Sequence, residues 1–183
     1  MPEATLETTT LTPDALLDLP KPVNGKHYEL SDGDLIIVGN AGALHELIKT
    51  TVFEILTEYR LKTRSGRAFA ETQFTLRADR ARIPDVAWVS SARTNLIPRE
   101  NRAISIAPDV AVEVISDSEL PHETEQKLRD YLEADVEVWQ IFPSLPTVTI
   151  WRGNQGVRLE GDDAVTSARL PGFSVPVSDF FRH

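Results

Sequence analysis

Two apolar runs constrain this chain more than any other feature: Ile83-Pro84-Asp85-Val86-Ala87-Trp88-Val89 and Asp109-Val110-Ala111-Val112-Glu113-Val114-Ile115. Each reads as a β-strand that is apolar on both faces, and such strands belong in the middle of a covered sheet. Each is interrupted by a carboxylate, Asp85 in the first and Glu113 in the second. An ionised carboxylate in that setting costs several kcal/mol unless it is paired, protonated or bound to a cation. Two readings follow. Each acid can sit at a strand end, solvated or hydrogen-bonded to a loop, as exposed acids commonly are. Alternatively, since consecutive strands usually lie close together, the two carboxylates converge on one divalent cation, for which hard oxygen donors suit Mg2+ or Mn2+.

Local signals predict the elements around these strands. Residues 1–11, rich in Thr and Glu, read as a tail without apolar periodicity. Thr12 can cap a short helix with Pro13 at its first position, and Leu16, Leu17 and Leu19 give that helix an apolar side. Residues 27–38 read as two strands turned at Ser31-Asp32-Gly33-Asp34, where Asp-Gly is a strong tight-turn signal. Glu29 lies on the first arm and, taken alone, reads as solvated. Leu44, Leu47, Ile48, Val52, Ile55, Leu56 and Tyr59 recur at helical spacing and predict an amphipathic helix packed on the sheet. His45, in its first turn, can serve as a structural donor or reach a phosphate.

Residues 67–76 read as one strand leading through a charged turn into the Ile83 strand, with Glu71 near the site but outside its core set. Residues 90–107 form a long connection of a kind that is often functional. Residues 116–134 read as a helix with Leu128, Tyr131 and Leu132 toward the core, and Glu123, Lys127 and Tyr131 on one face. On periodicity alone Lys127 is a surface partner of Glu123. Residues 136–142 predict another strand, and residues 147–152 and 157–160 a hairpin over Gly153-Asn154-Gln155-Gly156. Trp139 and Trp151 are expected in the core or at a dimer face, and residues 170–181 over one sheet edge.

Composition narrows the classes. A length of 183 residues suits one well-packed domain, read as residues 12–183. Cysteine is absent, which removes disulfide frameworks and thiolate metal sites and fits a reducing, cytoplasmic compartment. No stretch approaches the ~18 consecutive apolar residues of a membrane span. The formal charge of -9 argues against a surface that grips nucleic acid all over. Residues 60–102, however, hold ten basic against four acidic residues, a local +6 within the total of -9 that leaves -15 elsewhere. That basic segment is either a set of solvated strand edges or a phosphate track.

The order of these pieces resembles the PD-(D/E)XK phosphodiesterase superfamily, with Pro84-Asp85 as its first element and Glu113-Val114-Ile115 where that superfamily has acid-x-lysine. Ile115 occupies the lysine seat, a departure characteristic of the bacterial restriction-endonuclease-like proteins of the Uma-two family, in which the lysine has moved to the following helix. Lys127 fits that place. Tyr28-Glu29-Leu30-Ser31-Asp32-Gly33-Asp34-Leu35 resembles the family's opening hairpin, His45 opens its long helix, Lys127 and Tyr131 match its Lys-x-x-x-Tyr helix, and Glu137-Val138-Trp139 its Glu-Tyr-Trp strand. Asp117 stands where proline is usual, Glu123 where aspartate is common, and Phe142-Pro143 where Val-Asp-Pro is usual.

The resemblance implies an α/β fold with a restriction-endonuclease-like core, a mixed β-sheet flanked by helices. It implies a Mg2+-dependent endonuclease, with Mn2+ as substitute, hydrolysing DNA phosphodiester bonds. Asp85 and Glu113, with Glu29 and the Val114 carbonyl, would form the metal and catalytic set, Lys127 the charge at the phosphate, and His45 and Tyr131 possible substrate contacts. A homodimer is expected, and no membrane association. The rival readings are a non-catalytic dimeric nucleic-acid or protein binding module of the same fold, and a small-molecule metal-dependent phosphodiesterase.

Overall fold

The computed structural model describes residues 11–22, 26–39, 42–100, 102–116 and 119–182. The expected tail lies outside these except for Leu11, which packs against Leu16 and Leu30, and Asp117 lies outside them too. The chain opens with α1 (Pro13–Leu17), where the Thr12 hydroxyl accepts from the Ala15 N–H at 3.4 Å. The hairpin β1 (His27–Ser31) and β2 (Asp34–Val38) turns at Asp32 and Gly33, whose φ values of 50° and 84° give the left-handed pair a tight hairpin needs.

Helix α2 (Ala43–Thr63) buries Ile48, Val52, Leu56 and Tyr59, whereas Leu44 and Leu47 of the predicted stripe remain exposed at its N-terminal end. The stretch read as one strand over 67–76 divides into β3 (Gly66–Ala70) and β4 (Phe74–Arg77), and the two join different sheets. Glu71, at φ 44°, makes the break. After β5 (Arg80–Arg82) the hydrogen-bonded strand β6 begins only at Val86 (Val86–Ser90). Residues 83–85 are therefore the crossing between two sheets, and Asp85 lies just outside the strand in which it was expected. Next come β7 (Val110–Val114), α3 (Pro121–Glu133), β8 (Glu137–Phe142), β9 (Thr147–Arg152) and β10 (Gln155–Glu160). The last pair is β11 (Ala164–Ser167) and β12 (Leu170–Pro176).

The six-stranded sheet runs β10-β9-β8-β7-β6-β3, and only β7 and β8 pair in parallel within it. A parallel neighbour requires a crossover, and α3 supplies it. A four-stranded sheet, β2-β1-β5-β4, stands beside it. The apolar runs of β6 and β7 divide by alternation. Val86, Trp88, Val110, Val112 and Val114 face the α2 stripe, while Ala111 and Val138 face Tyr131 and Leu128 of α3. This is the expected mixed sheet flanked by helices, covered on both faces.

The C-terminal residues settle differently from the reading of them as an edge cover. Phe173 and Phe180 lie against Trp139, with ring centroids 5.4 and 6.3 Å away, on the α2 side of the sheet. The chain thus buries in its core the apolar residues expected over a sheet edge, together with Trp139. Trp151 is half-buried against the residues of α3.

Candidate active site

The β6–β7 ladder pairs Val86 with Val112 and stops there. Beyond it the chain turns away at Pro84, and the Val114 N–H would be left without a partner in a buried place. The Asp85 carboxylate takes that N–H at 2.8 Å through Oδ2. Its Oδ1 lies 3.0 Å from Nε2 of His45, delivered by the first turn of α2. The Asp85 carbonyl accepts from the Glu71 N–H at 3.2 Å, so the left-handed turn at Glu71 also holds the acid.

Glu113 stays inside β7 and points, with Ala111, toward α3. Tyr131 donates its hydroxyl to Oε1 at 2.7 Å, and Lys127 Nζ contacts Oε2 at 2.8 Å. Four-residue spacing sets both groups on one helix face. Lys127 Nζ also reaches Oε1 of Glu29 at 3.3 Å and the Ile83 carbonyl at 3.4 Å. Its ion partners are thus Glu113 and Glu29 rather than Glu123. Ile115 follows on the same face of the chain, and its backbone N–H donates to the Ile141 carbonyl at 2.8 Å. Tyr131, expected among substrate contacts, is fully buried with its hydroxyl committed to Glu113, which makes it a support of that acid.

Glu29 corrects the reading of a solvated acid, being only 1% exposed. Its Oε2 pairs with Arg82 at 2.8 Å, and its Oε1 accepts from the Ile83 N–H at 2.9 Å. Arg82 in turn binds Asp130, through Nε at 2.8 Å and again through Nη2. Asp130 lies three residues after Lys127 and also meets Arg80 at 2.9 Å. This buried ion network joins the four-stranded sheet to the helix that carries Lys127.

Sequence reasoning missed Arg82 and Asp130, since nothing local pairs residues 48 apart. The alternation Arg80-Ala81-Arg82 in a short strand was the one available signal. Lys49 was missed as well: it is buried one helical turn beyond His45, its Nζ 2.6 Å from Glu46 and 2.7 Å from Glu71. These pairs also dispose of much of the basic segment as a phosphate track. Arg77, Arg80, Arg82 and Arg93 all make ion pairs with carboxylates.

The acids differ in charge state. Burial pushes Glu113 up, and Asp85 and Glu29 add to that push against Lys127, so that its carboxyl titrates at about 8. Burial acts on Glu29 in the same direction, yet Lys127, His27, Arg82 and the Ile83 N–H overcome it and hold that carboxyl far below the usual range. Asp85 is likewise held low despite burial, through its hydrogen bond to His45, with Lys127 and the Val114 N–H assisting. Burial opposes the charge on Lys127, but three carboxylates hold its ammonium well above the ordinary value. His45 is raised against burial by Asp85.

Among the described residues, no three His, Asp or Glu side chains already stand as a closed metal cage. The donor chemistry fits a hard cation all the same. Asp85 and Glu113 are oxygen donors at the end of one strand pair, and the Val114 carbonyl faces the same side as its N–H. Mg2+ typically takes only one or two protein carboxylates and keeps waters or substrate phosphates in its other positions. Glu113, whose charge is unfavourable without a counter-ion, is the acid a cation would ionise. Glu29 already has two cationic partners, Arg82 and Lys127, and so has the least to gain from a metal ion.

A model of the Uma2 family, described as "Putative restriction endonuclease", matches residues 13–178. Comparison with curated proteins gives no match. Among solved structures, the chain is similar to a crystal structure from Anabaena variabilis described as "a putative nuclease belonging to DUF820", with 25% identity and a TM-score of 0.78. The likeness covers 93% of this chain and 97% of that one.

Proposed function

Because this chain belongs to the Uma2 family of restriction-endonuclease-like proteins, we propose that it is a metal-dependent endonuclease hydrolysing DNA phosphodiester bonds. The observation that carries the reading is the meeting of Glu113, Lys127 and Glu29 beside Asp85, with the lysine supplied by α3 and Ile115 in the strand position two residues after the acid. A structural ion pair needs one lysine and one acid. A part-buried lysine held charged by several acids, beside an acid that stays protonated until about pH 8, is the kind of perturbed cluster found at sites of chemistry.

Mg2+ or Mn2+, held by Asp85 and Glu113 with the Val114 carbonyl, would supply Lewis-acid polarisation of the phosphoryl oxygen and a more acidic attacking water. The residues of the chain do the rest. His45 and the Val114 N–H fix the Asp85 carboxylate through both its oxygens. Tyr131 orients Glu113. Lys127 places a fixed positive charge where negative charge develops on the phosphate, and Glu29, itself neutralised by Arg82, keeps that ammonium charged and aimed. Glu29 is therefore assigned a positioning role. Direct attack by water requires no covalent intermediate.

Metal binding separates this reading from a non-catalytic module of the same fold. Thermal melts with and without Mn2+ should show stabilisation of roughly 2.7 kcal/mol at a hundred times the dissociation constant. Asp85→Asn and Glu113→Gln should each abolish it. Unchanged Mn2+ stabilisation in both variants would place the site elsewhere.

A further inference from the structure

Beside the acids and Lys127, a groove of about 970 Å3 runs between α3 and the β9–β10 hairpin, a volume at the upper end of the range for small-molecule sites. Its apolar lining is Ile115, Leu128, Leu132, Phe142 and Trp151. It is continuous with the catalytic cluster, since Ile115, Leu128 and Gln140 also line the small recess that reaches Glu113, Lys127 and Tyr131. Trp151 is unusually fixed for a half-exposed side chain. Its cross-strand partner is Gly156, where a Cβ would come within 2.8–2.9 Å of three neighbouring ring atoms, so one side of the indole rests on the bare glycine backbone. Its Nε1 donates to Oε1 of the buried Gln140 at 2.8 Å. The ring is therefore held from one side and by its N–H, and it remains part of the groove wall.

The rim bears Glu119, Glu125 and Glu133 against Arg129. That balance repels phosphate and leaves the groove to a neutral, flat group. We infer that the groove receives an unstacked nucleobase next to the scissile phosphate, with Trp151 as its stacking platform, so that the substrate is single-stranded or locally unpaired DNA. This rests on the nuclease reading and deepens it, for base–aromatic stacking is tolerant of sequence and needs the base out of the duplex.

Tryptophan fluorescence reads the site directly, because Trp88 and Trp139 are fully buried and Trp151 is not. The full chain, in EDTA so that nothing is cut, would be titrated with a single-stranded oligodeoxynucleotide, an abasic strand of equal length and the corresponding duplex. The single strand should quench most and bind most tightly. Because Trp151→Leu lacks the reporter ring, parent and variants would be compared by the anisotropy of a fluorescein-labelled single strand, where Trp151→Leu should weaken binding by roughly 5- to 150-fold, the equivalent of one stacked base. Trp151→Phe, which keeps a ring over Gly156, should lose less and guards against a folding defect. The inference is overturned if a folded Trp151→Leu binds the single strand like the parent, if the abasic strand binds equally well, or if the duplex binds best. Should Glu113→Gln abolish Mn2+-dependent cleavage while Trp151→Leu binds and cuts normally, this inference fails and the nuclease reading stands. If no strand binds and none is cut with Mn2+, both fall.

Discussion

Glu113 sets a pH dependence that can be worked out from its surroundings. Buried beside Asp85 and Glu29, it keeps its proton in the folded chain up to about pH 8, against 4.5 when free. The folded state thus binds a proton that the unfolded state releases. The stability this contributes is fully present below pH 4.5 and is lost as pH rises through about 8. That interval corresponds to a ceiling of about 5 kcal/mol, or roughly 10–20 °C in melting temperature for a chain of this size. His45, also raised, slopes the same way, whereas the stability from Glu29 and Asp85, both lowered, is lost only on acidification below their ordinary values. Glu113→Gln isolates the one group. The amide cannot accept from both Tyr131 and Lys127, which costs about 1–3 kcal/mol at every pH, but it cannot ionise either. Urea denaturation of parent and variant in EDTA, from pH 5 to 9, should show the variant weaker or equal at pH 5 and gaining steadily on the parent above it. Mn2+ should flatten the parent's slope. A difference between the two proteins that stays constant across the range would mean that Glu113 is already ionised at pH 5, and the reasoning about its burial would fail.

Arg82→Met should cost about 3–5 kcal/mol, because it strands Glu29 and Asp130 in the interior; a loss below ~1 kcal/mol in urea denaturation would show that the network is not the tie between the small sheet and α3. Asp85→Asn should destabilise the chain at pH 7, in contrast to Glu113→Gln, since Asp85 is ionised and engaged through both oxygens; a melting temperature at or above the parent's would contradict that assignment. A homodimer is expected through the edge of β2 that has no strand partner among the described residues, where Leu35 and Ile37 are 43% and 57% exposed with no guarding Lys or Pro in the strand. Light scattering at micromolar concentration should give twice the chain mass, and Ile37→Lys should give the monomer; a monomeric parent refutes it.

What could be read from the sequence was what neighbours along the chain decide. The hairpin at Asp32-Gly33, the α2 stripe from Ile48 onward and the covered strands β6 and β7 follow from turn chemistry and periodicity. Asp85 and Glu113 were legible because a carboxylate in an apolar run demands an explanation. Lys127 was not legible from pattern alone, since Glu123 four residues earlier offers an ordinary surface partner; only the family resemblance pointed inward. The burial of Glu29 escaped because its partner Arg82 is 53 residues away, and a pairing of that range is settled by how two sheets meet. The break at Glu71 and the late start of β6 at Val86 were lost for the same reason: the chain changes sheets there, and a strand pattern cannot show which sheet it joins. Phe180 read as an edge cover because hydrophobicity states that a residue is buried without stating against what.

The central claim is that Lys127 performs from the helix what a lysine at position 115 would perform from the strand. Single-turnover cleavage of labelled DNA with Mn2+, offered both as a duplex and as a single strand, would compare the parent, Lys127→Met, Ile115→Lys, and the double variant. Lys127→Met should retain Mn2+ stabilisation, because it removes no ligand, and lose most of its rate, because the charge facing the phosphate is gone. Adding Ile115→Lys should restore a measurable part of that rate, at some cost in stability for an ammonium placed near the core. If Lys127→Met cleaves as fast as the parent, the lysine is only a structural counter-ion to Glu113 and Glu29, and the mechanism is wrong.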